Sequence, residues 1–105
     1  MVSFMTTFSV GDLVISLRGR DTRTIYMVLG QDAVGRIQVS DGKYHPLQKP
    51  KTKNPRHLKK VYTEALHAGG APMQNENIKA AIKQFRKTEA FTLITGGKNV
   101  ESGHY

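Results

Sequence analysis

The sequence predicts a mainly β fold, a small and partly open barrel of about five short strands, followed by one C-terminal α-helix. Three observations carry this. Apolar runs of strand length recur through residues 9–62, separated by turns bearing glycine and aspartate. So many short strands in so few residues cannot stack as two sheets, whereas a sheet that curls on itself protects its edges. Residues 75–90 then change period and set Ile78, Ala81, Ile82 and Phe85 on one helical face. The expected organisation is a barrel at 9–62, a linker at 63–74, an amphipathic helix at 75–90 docked on the barrel, and a flexible tail at 91–105.

Each element has its own signal. "GDLVISL" (11–17) is apolar and β-branched after a Gly-Asp turn, and reads as a strand. "RGRDTR" (18–23) is a polar loop, and "TIYMVLG" (24–30) is a second strand closed by Gly30. "QDAVG" (31–35) turns the chain into "RIQVS" (36–40), where Ile37 and Val39 alternate with polar residues as in a strand with one buried face. Asp41-Gly42 suits a two-residue type I′ turn, because glycine accepts positive φ and aspartate tolerates it. It should reverse the chain into a strand "KYH" (43–45) with Tyr44 packed, ended by Pro46. "KPKTKNP" (49–55) has no periodicity and reads as an exposed loop, and "RHLKKVY" (56–62) returns to alternation with Leu58 turned inward. Such a chain suits a barrel of the SH3-like type. "HAGGAP" (67–72) is linker-like, and the helix after it has Asn75 as N-cap, Glu76 in its first turn, and Arg86 and Lys87 in its last.

Composition narrows the function. At 105 residues the chain is one small domain with a modest core, and it has no cysteine for disulfides or thiolate zinc ligation. "MVSFMTTF" lacks the pattern of a secretory signal, and no apolar run reaches bilayer length. A cytoplasmic protein, monomeric when free and without a membrane partner, is expected. The net charge of +8 is uneven: residues 9–60 hold eleven Lys and Arg against four Asp, residues 61–105 five against four Glu. Such a concentration attracts nucleic acid or another polyanion.

Signatures of catalysis are missing. "GGK" (96–98) has Thr92 where a phosphate loop needs glycine, and Asn99 where it needs Ser or Thr. His45, His57, His67 and His104 lack metal-ligand spacing, and the four aspartates of 9–60 fall at or near turns, where they bond local amides. The expectation is a protein that is not an enzyme and uses no cofactor or metal.

Two basic stretches remain. "RGRDTR" supplies Arg18, Arg20 and Arg23 around Gly19; residues 43–60 supply Lys43, His45, Lys49, Lys51, Lys53, Arg56, His57, Lys59 and Lys60. Guanidinium forks bind phosphate in bidentate fashion and lysines act as mobile point charges. On one rim of a barrel these residues would hold a polyanion with little demand on base sequence.

"GDLVISLRGRD" with "TIYMVLG" resembles the KOW motif, a strand, a glycine-containing basic loop and a strand. "DGKYHPLQKPKTKNPRHL" resembles a stretch of small bacterial KOW-domain proteins akin to large-subunit ribosomal proteins, through Asp41, Gly42, Lys43, Pro46, Leu47, Lys49, Pro50, Lys51, His57 and Leu58. The resemblance covers roughly residues 9–62, and "NENIKAAIKQF" is similar to a helix that follows in such proteins. It departs at Thr22-Arg23, where such loops often carry Lys-Gly. The resemblance implies an SH3-like barrel that binds structured RNA, above all ribosomal RNA, with ribosomal or translation proteins as further partners. From the residues alone, an acidic transcription or translation partner, or DNA, remains open.

Overall fold

The computed structural model describes residues 8–63 and 73–95. Most of the expected linker, the last ten residues of the expected tail, and His67 and His104 lie outside them. Five antiparallel strands form one sheet in the order β4-β3-β2-β1-β5: β1 (Asp12–Ser16), β2 (Ile25–Gln31), β3 (Ile37–Ser40), β4 (Lys51–Lys53) and β5 (Leu58–Thr63). The chain meanders from β1 to β4, and a 3-10 turn (Pro55–His57) carries it across to pair β5 with β1. The fold is mainly β, as expected, but β4 and β5 do not pair and the sheet is open.

Both faces of the sheet centre are covered. Val14, Tyr26, Val28, Ile37, Val39 and Leu58 form a cluster on one face, with Phe8 against it. Leu13, Ile15, Ile25 and Met27 occupy the other face and meet Ile78, Ala81, Ile82 and Phe85 of α1 (Asn75–Arg86). Every residue of β1 is therefore buried, which explains its unbroken apolar run. β3 keeps its alternation, with Gln38 half-buried between Ile37 and Val39. Each large side chain buried here contributes about 1.5–3 kcal/mol.

The helical part differs from expectation. α1 begins one residue after Gln74, whose N–H donates to Asn77 Oδ1 at 3.0 Å. Asn75 is not the cap. Its Oδ1 accepts from the Leu47 N–H (2.8 Å) and its amide donates to Gln48 (3.1 Å), tying the helix start to the β3–β4 connection. A second helix, α2 (Glu89–Thr95), takes the last two residues of the expected helix and the first five of the expected tail. Thr88 makes the joint: its hydroxyl donates to Phe85 O (2.6 Å) and accepts from the Phe91 N–H (3.3 Å). Phe91 then stands edge-on to Phe85, with ring centroids 6.0 Å apart.

The segment after β3 also differs. Residues 43–45 form no strand, and Tyr44 is 76% exposed rather than packed. Asp41 Oδ1 accepts from the N–H groups of Lys43 (2.9 Å) and His45 (2.8 Å), which builds a wider loop than a two-residue hairpin turn. Gly42 is required there for two reasons. Its φ is +77°, and a Cβ would lie 2.7 Å from Asn75 O and 2.9 Å from Lys79 Cγ. The fourth strand forms instead at Lys51–Lys53, inside the stretch expected to be a loop. Pairing sets Lys53 opposite Ile37 and Lys51 opposite Val39, so both lysines lie on the face that holds Tyr26. Backbone pairing and a charge partner stabilise this strand, not apolar side chains. Among the described residues no helix is long and apolar enough to cross a membrane.

Candidate nucleic-acid interface

The loop joining β1 to β2 (residues 17–24) is built around its one acid. Asp21 accepts from Tyr26 Oη (2.6 Å), Ser16 Oγ (2.9 Å) and Lys53 Nζ (3.1 Å). Lys53 also donates to Arg18 O at 3.2 Å, so one ammonium from β4 fixes two points of the loop. Burial pushes the Asp21 carboxyl upward, but the hydrogen bonds from Tyr26, Lys53 and Ser16 and the charge of Lys53 outweigh it and hold the pKa at about 2. Tyr26 is pushed far above the ordinary phenol range by burial, then by its hydrogen bond to Asp21 and the charge of that carboxylate. The acid of "RGRDTR" is thus an internal counter-ion, and the arginines around it stay exposed.

Backbone bonds finish the loop. The Arg23 N–H donates to Ser16 O (2.7 Å), and the N–H and Oγ1 of Thr22 both donate to Gly19 O. Arg23 adopts φ 78°, the only non-glycine residue with positive φ among those described. That conformation costs an L-residue about 1–2 kcal/mol.

This loop forms one wall of a cleft of about 1000 Å³. Arg20 and Arg23 come from the loop, Lys43, Tyr44 and His45 from the β3–β4 connection, and Lys79, Lys83 and Arg86 from α1. Tyr26 and Ile25 of β2 and Ile82 of α1 line it more deeply, with Phe91 of α2 beside them. Two acids, Asp21 and Asp41, also line it, and both are engaged: Asp21 as described, Asp41 with the backbone of its own loop. Ion pairs among the described residues join Asp21 to Lys51 and Lys53, and Asp12 to Lys60; none takes up a cleft cation. Three separate elements therefore aim positive charge that has no ion-pair partner among the described residues at one concavity, where low-dielectric walls strengthen its field.

The thirteen candidate residues divide sharply. Arg20, Arg23, Lys43 and His45 line the cleft, and Arg18 and Gly19 are exposed on the adjoining loop. Lys53 is only 9% exposed and is committed to Asp21, while Lys51 lies 3.9 Å from the same carboxylate. Lys60 pairs with Asp12 at 3.3 Å. Lys49, Arg56 and Lys59 are exposed and His57 half-buried, all away from the cleft lining. Of the residues 43–60 expected to form one basic rim, Lys43 and His45 thus line the cleft and Lys53 is turned inward.

Lys79, Lys83 and Arg86 were absent from the sequence-based candidates. A usable signal existed, since each follows a core residue of α1 by one position: Ile78, Ile82 and Phe85. Their spacing of four and then three residues also sets Lys79, Lys83 and Arg86 together on one face of the helix. No protein-family model matches the chain, and no curated protein matches it significantly.

Proposed function

We propose that this chain is a non-catalytic RNA-binding protein, associated with ribosomal RNA, that contacts structured RNA through the cleft between the β1–β2 loop, the β3–β4 connection and α1. The observation that carries the reading is the convergence there of Arg20, Arg23, Lys43, Lys79, Lys83 and Arg86, none of them ion-paired among the described residues and together outnumbering the two acids of the lining, Asp21 and Asp41. Phosphate-rich ligands gain from such a site by releasing condensed counter-ions. The order β4-β3-β2-β1-β5, with a 3-10 turn before β5, supports an SH3-like barrel left partly open. The KOW resemblance of residues 9–62 then makes ribosomal RNA and the translation machinery the preferred partners.

Competition between ribosomal RNA fragments and duplex DNA at matched salt tests this proposal, with wild type beside an Arg20→Glu/Lys83→Glu variant. Preferential retention of RNA by wild type and its loss in the variant are expected. Equal affinity for duplex DNA, or full RNA binding by the variant, overturns it. Pull-down after nuclease treatment separates the acidic-protein reading, which requires that a partner remain bound once nucleic acid is removed.

A further inference from the structure

We infer that the cleft receives an unpaired nucleotide of the RNA, its base stacked on Tyr44 and its phosphates held between Arg23 and the Lys79–Lys83–Arg86 face of α1. This rests on the RNA-binding reading and adds the kind of RNA element that the site selects.

Tyr44 supplies the first argument. It is 76% exposed although it sits in a tightly bonded loop, with Asp41 fixing the N–H groups on either side of it. A large aromatic ring held out in water by an ordered loop has no role in the core. Lys43 Nζ lies 5.0 Å from the ring centroid, so cation and ring are presented together. Ring plus cation is the combination that binds single strands, because every base has a π-face and every nucleotide a phosphate.

The shape of the site gives the second argument. A fully paired RNA helix turns its base faces inward and offers the protein phosphates, sugars and groove edges. Here the charges line a half-open concavity of about 1000 Å³, roomy enough to admit a nucleotide. A bulged or single-stranded nucleotide can enter it and offer a base face to Tyr44; a continuous duplex cannot do both.

Arg23 gives the third. Its backbone is held in the left-handed region, which glycine occupies without cost, yet the residue lines the cleft and carries a charge. Strain of this kind persists where the side chain has a use and the surroundings enforce the geometry.

The test uses the full chain with three RNAs of equal length: a fully paired hairpin closed by a nucleotide-free linker in place of its loop, the same hairpin with a two-nucleotide bulge, and an unpaired strand. Wild type should bind the bulged or unpaired RNA at least about tenfold more tightly than the paired hairpin. Tyr44→Ala should weaken that binding about 5- to 100-fold, leave paired-hairpin binding within about twofold, and be rescued by Tyr44→Phe. Because Tyr44 is exposed, the substitution does not endanger folding, and a thermal melt checks this. Equal binding of paired and unpaired RNAs, or an unchanged Tyr44→Ala profile, overturns the inference while leaving RNA binding intact. Failure to bind all three RNAs would overturn the RNA-binding reading as well.

Discussion

Replacing Asp21 by Asn keeps the shape of the hub of the β1–β2 loop and removes its charge. Three donors converge on the carboxylate, from Tyr26, Ser16 and Lys53, and Lys53 is 9% exposed. An asparagine amide must turn its NH₂ toward one of these donors, and it leaves the lysine without a counter-ion. Folding lowers the Asp21 pKa from 3.8 to about 2, which corresponds to roughly 2–3 kcal/mol of stabilisation at neutral pH. That figure already includes the loss of the Lys53 counter-ion, so a loss of about 2–3 kcal/mol is expected, a large share of a small domain's roughly 5–10 kcal/mol. The sign follows from the lowered pKa. The Asp21 contribution is complete above about pH 5 and fades as pH falls through the folded-state value of about 2. Urea unfolding of wild type and Asp21→Asn should therefore differ by about 2–3 kcal/mol at pH about 7, the gap narrowing steadily toward pH about 2. A difference below about 0.5 kcal/mol at neutral pH, or one that does not depend on pH, would refute the counter-ion role of Asp21.

Two further substitutions probe the backbone. Arg23→Gly relieves the left-handed strain at φ 78° and should raise stability by about 0.5–1 kcal/mol in thermal melts while weakening RNA binding; a variant that is less stable, or that binds RNA as tightly as wild type, would contradict this. Gly42→Ala drives a methyl group to within 2.7 Å of Asn75 O at φ +77° and should cost at least about 2 kcal/mol, with α1 amides losing hydrogen-exchange protection first. Wild-type protection across α1 in that variant would show that Gly42 does not govern helix docking.

The elements visible in the sequence are those held by local pattern. β1, β2 and β3 follow apolar runs and alternation, and the core face of α1 follows helical period. β4 escaped notice because Lys51-Thr52-Lys53 carries no apolar signal; its ladder to β3 and the charge of Asp21, thirty residues earlier, make it a strand. Asp41-Gly42 misled for a related reason. Its dipeptide chemistry is that of a hairpin, but Asp41 bonds as far as His45, and the glycine is demanded by the approach of α1. α2 was hidden because a single side chain, Thr88, both ends α1 and starts it. For the cleft, sequence order was the obstacle. Counting charge along the chain favours residues 43–60, whereas the fold turns Lys53 inward and brings in Lys79, Lys83 and Arg86 from another element.

The salt dependence of RNA binding decides whether the cleft holds the RNA, because its slope counts the phosphates neutralised. Two triple variants carry equal charge change: Arg20→Gln/Lys43→Gln/Lys83→Gln inside the cleft, and Lys49→Gln/Arg56→Gln/Lys59→Gln outside it. The account predicts that the cleft variant loses about 2–3 from the slope of log K against log salt, while the outer variant keeps the wild-type slope to within about 1. The reverse result, with the outer residues carrying the slope, would contradict the cleft as the RNA site.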